Sequence, residues 1–82
     1  MSKNYLLFTS PFCKFCPTIK QFLSTVSDAQ GVNYDITQDD GRNTAIKLNV
    51  NRVPTVVFVD SSGNETSRAH NVPEIRDILS DY

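Results

Sequence analysis

The sequence predicts an α/β domain: a four-stranded mixed sheet flanked by three helices, in the order β-α-β-α-β-β-α. Two β-prone apolar runs, Tyr5-Leu6-Leu7-Phe8 and Thr55-Val56-Val57-Phe58-Val59, read as strands buried on both faces. Between and after them, apolar residues recur at helical spacing. A turn-forming run, Asp60-Ser61-Ser62-Gly63-Asn64, is suited to an antiparallel hairpin. The first two strands are joined by a helix, so they should be parallel with a right-handed crossover, whereas the last two should pair antiparallel.

The first strand is expected from Lys3 to Phe8. Phe15, Ile19, Phe22, Leu23 and Val26 then mark one face of a helix expected to end near Asp28 to Gly31. Val32, Tyr34 and Ile36 alternate with Asn33, Asp35 and Thr37, the pattern of a half-exposed edge strand. Asp39-Asp40-Gly41 reads as turn and cap chemistry, followed by a short helix carrying Ala45, Ile46 and Leu48. After the Thr55 strand and its turn comes a strand from Glu65 to about Ala69. Val72, Ile75, Ile78 and Leu79 define a last amphipathic helix with Pro73 in its first turn.

With 82 residues and no internal repeat or linker, residues 1–82 are read as one domain with a single core. No apolar run approaches the roughly 20 residues that span a bilayer, and the apolar stretch after Met1-Ser2-Lys3-Asn4 is too short for a signal peptide. The expectation is a cytoplasmic protein without a membrane partner. The net charge of −1 argues against nucleic acid, which requires a clustered positive surface. A monomer is expected. Lys3, Lys14 and Lys20 precede the first acidic residue, Asp28, so the N-terminal third is locally cationic.

The only cysteines, Cys13 and Cys16, stand two residues apart where the first strand hands over to the first helix. In a reducing cytosol such a pair is a redox or metal-binding feature rather than a permanent staple. Tetrahedral zinc wants four ligands, and beyond these two sulfurs the chain has His70 as its sole histidine; no metal is expected. The thiolate is the reactive form, and a free cysteine with a pKa of about 8.5 is mostly protonated at neutral pH. A helix N-terminus and the Lys14 charge should both favour the thiolate. Cys13, preceding the helix, is assigned as the attacking sulfur, and Cys16, about one turn in and beneath it, as the resolving one. Pro17 lacks an N–H and biases Cys16 away from helical geometry. Either the helix begins at Cys16 with Pro17 in its first position, or its first turn is distorted. In the former case the dipole acts more on Cys16.

Pro54 opens the third strand, where its missing N–H costs no ladder bond. From the residues alone a trans Val53–Pro54 bond is expected, since only about 5% of such bonds are cis in folded proteins. A cis bond would leave backbone groups of Val53 free to pair with an extended substrate. Phe12 and Phe15, flanking the sulfurs, are either core or an apolar contact surface for substrate; Phe15 also fits the helix stripe. Arg52 is either the partner of a substrate carboxylate or an exposed ion-pair residue. His70 is most simply a surface loop residue, with metal ligation or general acid chemistry as alternatives.

Thr9-Ser10-Pro11-Phe12-Cys13-Lys14-Phe15-Cys16 with Lys20, followed by the run from Ala45 to Arg52 and then Val53-Pro54-Thr55, resembles the glutaredoxin/thioredoxin family. Size and element order are most similar to glutaredoxins, particularly the small bacteriophage-type ones. The resemblance implies a thioredoxin-like fold with the first strand central, and a cis Pro54 lying against the cysteines. It also implies thiol–disulfide exchange on disulfide-containing proteins. No tightly bound cofactor is implied; the reductant would be glutathione or a thioredoxin reductase, and the phage-type likeness suggests ribonucleotide reductase as an electron acceptor. The family also includes members that hold an iron–sulfur cluster between two subunits, and the fold can serve a partner enzyme without using its thiols. The sequence departs from thioredoxins in having Leu7 where they bury an acid and Phe12 where they carry Trp. It departs from glutaredoxins in having Lys14-Phe15 for Pro-Tyr, and His70-Asn71 where a Gly-Gly pair receives the γ-glutamyl end of glutathione.

Overall fold

A computed structural model describes residues 3–26 and 29–80. The elements are β1 (Lys3–Thr9), α1 (Cys16–Ser24), β2 (Ala29–Asp35), α2 (Asp39–Lys47), β3 (Thr55–Val59), β4 (Glu65–Ala69) and α3 (Val72–Ser80). The sheet order is β2-β1-β3-β4, which makes β1 central. β1 pairs parallel with β2 and antiparallel with β3, and β3 pairs antiparallel with β4. The predicted α/β architecture and order are both realised.

The two apolar strands are central because their side chains have cores on both sides. On one face Leu7, Val56 and Phe58 pack with Ile19 and Leu23 of α1 and Ile75 of α3. On the other, Phe8 and Val57 pack with Ala45 of α2. Alternation does the sorting: Leu7 and Phe8 are neighbours in sequence and point to opposite faces, each essentially without solvent contact. Cross-strand pairing then matches like with like, with Leu7 opposite Val56 and Leu6 opposite Val57. Tyr5 meets Phe58 edge-on at 6.4 Å between ring centroids, and Phe8 stacks on Tyr34 at 5.4 Å. β2 is the predicted edge strand, and its Val32 is half exposed.

Three boundaries differ from expectation, the first being β2, which runs from Ala29 to Asp35 and leaves Ile36 and Thr37 in the turn beyond it. The first helix ends at Ser24, capped by Thr25, rather than near Asp28 to Gly31; Ser27 and Asp28 lie outside the described residues. Gly31 is not a helix terminator but a β2 residue opposite Tyr5, where a Cβ would stand 2.1 Å from the Tyr5 carbonyl oxygen. Asp39, Asp40 and Gly41 are not a turn but the first turn of α2, whose N-cap is Gln38. Two carboxylates there suit the positive helix end. Gly41 is buried against the end of β2: a Cβ would fall 2.0 Å from the Asp35 carbonyl oxygen. Periodicity cannot report such a requirement, because it comes from a different element. The hairpin turn after β3 forms as expected, with Gly63 at φ 86° and the Asp60 carboxylate accepting from the amides of Ser62 and Asn64.

Candidate active site

β1 ends at Thr9, and the chain then makes a tight loop: the Ser10 hydroxyl accepts from the Phe12 amide, and the Ser10 carbonyl from the Cys13 amide. This loop delivers Cys13 to the N-terminus of α1. Cys13 and Cys16 are joined in a disulfide with their Cα atoms 5.4 Å apart. The two sulfurs differ in access. Cys13 is half-buried, whereas Cys16 is only 4% exposed. The outer sulfur lies where a substrate can reach it, and the inner sulfur lies within reach of the outer one.

The helix begins at Cys16, with Phe15 as N-cap and Pro17 within the first positions. Of the two arrangements the sequence allowed, the structure takes the one in which Pro17 occupies the slot where a missing N–H is harmless. Cys16 is therefore at the helix start and not a turn inside it, as expected from the spacing alone. The dipole is not lost to Cys13, because the S–S bond holds both sulfurs at the same helix end. No acidic residue sits in that first turn to oppose it. Lys14 projects outward, its ammonium 6.0 Å from the Phe15 ring centroid.

Phe12 is 89% exposed and Phe15 63% exposed. Neither is core, which settles the alternative left open for Phe15 in favour of a surface aromatic. Phe15 lines an apolar groove of about 310 Å³ with Thr18, Ile19, His70, Asn71 and Val72. His70 is not the simple surface residue expected of a lone loop histidine. It is half-buried, with Nδ1 3.1 Å from Thr55 Oγ1 and 3.4 Å from the Pro54 carbonyl oxygen. The Thr55 hydroxyl spends its proton on the Arg52 carbonyl at 2.7 Å. Both groups facing Nδ1 are thus acceptors, and Nδ1 is the nitrogen that carries the proton. The His70 amide donates to the Glu74 carboxylate at 2.7 Å, and Asn71 Oδ1 accepts from the Glu74 amide at 2.9 Å, capping α3.

The Val53–Pro54 bond is cis, as the family resemblance implied and against the expectation from the residues alone. The β1–β3 ladder ends at the Phe8–Thr55 pair, so Pro54 comes just before it, at the end of the sheet from which the cysteine loop departs. Arg52 and Val53 border a separate groove with Arg42, Ile46 and Val50, beside α2. They do not line the pocket that holds the sulfurs.

That pocket, of about 400 Å³, is lined by Thr9, Ser10, Pro11, Cys13, Cys16, Pro17, Lys20, Asn33 and Asp35. Lys20 was expected at the site; Asn33 and Asp35 were not. They belong to β2, and their alternation with Val32 and Tyr34 marks them only as the outward face of a strand. The parallel register, with Phe8 opposite Tyr34 and Thr9 opposite Asp35, brings that strand end to the cysteine loop. Asp35 accepts from the hydroxyl and amide of Thr37, at 2.6 and 2.8 Å, which together with the Lys20 charge holds its carboxyl below the ordinary value. Among the described residues no cluster of His, Cys, Asp or Glu could hold a metal ion, and no helix is long and apolar enough to cross a membrane.

Fold and site together define a thioredoxin-fold protein built around a Cys-x-x-Cys disulfide at the end of its central strand. A family model described as Glutaredoxin matches residues 6–62, more than half of the chain, and the chain belongs to the glutaredoxin/thioredoxin family. A protein of Archaeoglobus fulgidus described as "Probable Thioredoxin" is 37% identical over 57 residues, covering 66% of this chain. The match spans 63% of that relative's length, less than two thirds. Solved structures of similar fold include the Schistosoma mansoni thioredoxin pre-protein (TM-score 0.80, 22% identity, 99% of this chain and 79% of that one). Thioredoxin O2 of Arabidopsis thaliana in its oxidised state is another (TM-score 0.77, 22% identity, 98% of this chain and 74% of that one).

Proposed function

We propose that this protein is a dithiol thiol–disulfide oxidoreductase that reduces disulfide-containing proteins in a reducing, cytosolic environment. The observation that carries the reading is the unequal burial of the two cysteines within one disulfide. In the reduced protein the Cys13 thiolate attacks a substrate disulfide; the substrate S–S bond breaks, one substrate thiolate leaves, and a mixed disulfide forms on Cys13. Cys16, deprotonated, then attacks Cys13 Sγ, expels the second substrate thiolate and closes the Cys13–Cys16 bond. Two electrons have passed from the dithiol to the substrate. The helix end stabilises the Cys13 thiolate before attack and again as leaving group when the disulfide is re-reduced. Phe12, Phe15 and the apolar groove beside Phe15 offer contact area to a protein substrate, and the backbone of half-buried Val53, next to the buried Pro54, offers it strand-like pairing.

Re-reduction falls to glutathione or to a reductase of the thioredoxin reductase type. One observation favours the second. In glutaredoxins the place of His70-Asn71 receives the γ-glutamyl group; here the His70 amide already serves the Glu74 carboxylate, and the Asn71 side chain caps α3. Ribonucleotide reductase is a candidate acceptor on the phage-type resemblance alone.

The test is reduction of one protein disulfide in parallel with glutathione plus its reductase, and with thioredoxin reductase. Cys13→Ser is expected to abolish turnover in either system, and Cys16→Ser to accumulate a mixed disulfide visible by mass spectrometry. Full activity of Cys13→Ser would overturn the assignment. Turnover with glutathione alone would overturn the preference for a reductase.

A further inference from the structure

The pocket on the β2 side of the disulfide carries one positive and one negative side chain on different walls, Lys20 on α1 and Asp35 on β2. They act on each other electrostatically, yet among the described residues neither takes part in an ion pair within 4.0 Å. Asp35 Oδ1 is held by Thr37, which fixes the carboxylate in place while its second oxygen takes no part in those bonds. Lys20 lies one helical turn beyond Cys16, at the i,i+4 position where side chains neighbour each other on a helix face. The pocket is lined by both cysteines and by the short polar residues Thr9, Ser10 and Asn33, and at about 400 Å³ falls within the range of small-molecule sites of roughly 300–1000 Å³.

Resting on the dithiol mechanism above, we propose that this pocket is a binding site for the α-amino-acid head of a small thiol or disulfide, its carboxylate on Lys20 and its ammonium on Asp35. Two opposite charges that flank a disulfide without closing on each other are complementary to a dipolar group near the sulfur of the ligand. Cystine has that form, since its head sits on the carbon adjoining the one that bears sulfur. Glutathione disulfide carries the same head on a longer arm. The apolar Phe15–Val72 groove has no Lys, Arg, Asp or Glu in its lining and suits protein substrates instead.

With cystine, the Cys13 thiolate breaks the ligand S–S bond, one cysteine departs and takes a proton from water, and the other remains on Cys13. Cys16 displaces it as a second cysteine, leaving the protein disulfide. Each reduced protein molecule thus converts one cystine to two cysteines in a single turnover, with no further reductant.

The experiment is stopped-flow oxidation of fully reduced full-length protein at about pH 7, where the ligand head is still largely zwitterionic. Each rate is divided by that for uncharged hydroxyethyl disulfide, which cancels changes in thiol reactivity. The probes are cystine, cystamine (ammonium only), 3,3′-dithiodipropionate (carboxylate only) and glutathione disulfide. In Lys20→Gln the ratio should fall roughly three- to fivefold for cystine and dithiodipropionate, the size of an exposed charge contact, and rise for cystamine. Asp35→Asn, which keeps the acceptor for Thr37, should lower the ratio for cystine and cystamine and not for dithiodipropionate. Lys20→Glu should reverse the order of cystamine and dithiodipropionate. The crossed pattern with cystine supports a head beside the sulfur; the same pattern with glutathione disulfide only supports the head at arm's length. Ratios unchanged within twofold for every charged probe would overturn the proposal. Failure of the wild-type protein to reduce even hydroxyethyl disulfide would instead overturn the dithiol mechanism.

Discussion

Gly41→Ala separates two physical arguments that disagree in sign. Gly41 lies inside α2, and by helix propensity alone replacing a helical glycine with alanine stabilises by about 1 kcal/mol. The structure puts a backbone where the methyl would go: 2.0 Å from the Asp35 carbonyl oxygen and 2.6 Å from its carbon. An ordinary contact needs well over 3 Å, so α2 and the end of β2 would have to separate by more than 1 Å. Neither partner is a side chain that can rotate away. Overpacking of this kind costs typically 1–3 kcal/mol and occasionally more, and with a backbone obstacle the upper end applies. Subtracting the propensity gain leaves a net loss of about 2 kcal/mol, or a fall in Tm on the order of 10 °C for a domain of this size. Because Asp35 lines the cysteine pocket, the same shift should also depress the cystine to hydroxyethyl disulfide ratio. Urea and thermal unfolding of the oxidised protein measure the first effect. A Gly41→Ala protein as stable as wild type, or more so, would refute the close approach of α2 to β2 and the placement of Asp35 that follows from it.

Thr55→Val should cost about 1–2 kcal/mol in urea unfolding, because it strips partners from both the Arg52 carbonyl and His70 Nδ1 in a nearly solvent-free position; nitrogen NMR of the imidazole should show Nδ1 protonated in wild type, and an Nε2–H tautomer would contradict the network. The Glu65 carboxyl is held below its ordinary value of 4.5 by hydrogen bonds from Arg68, at 2.6 and 2.7 Å. Its contribution is therefore present above about pH 4.5 and lost as the pH falls through the lower folded value. The pair is partly exposed, which limits it to under about 1 kcal/mol. Arg68→Met should flatten that part of the stability–pH curve, and an unchanged slope between pH 5 and 3 would show the pair to contribute nothing.

The strands were legible because their signals are local. Thr55–Val59 is β-prone throughout and buried through four of its five positions, and Val32, Tyr34 and their polar alternates mark an edge. The cysteine pair and its unequal burial were legible from spacing and position relative to one helix. The features missed all depend on a second element. Gly31 and Gly41 look like terminator and turn residues until Tyr5 and Asp35 are brought against them. His70 looks like an isolated loop residue until β4 is zipped to β3, with Ala69 opposite Val56, which sets it beside Thr55 and Pro54. Asn33 and Asp35 look like solvated strand positions until the parallel register places them at the cysteine pocket.

The sequence by itself determined the α/β order, the reactive pair and which sulfur is outermost, since periodicity, β-branching and the spacing of two thiols act within one segment. Tertiary structure alone assembled a charged pocket on one side of the disulfide and an apolar groove on the other. Those depend on register and on distances between chain segments far apart in sequence, which only the closing of the sheet and the docking of helices on both its faces can set.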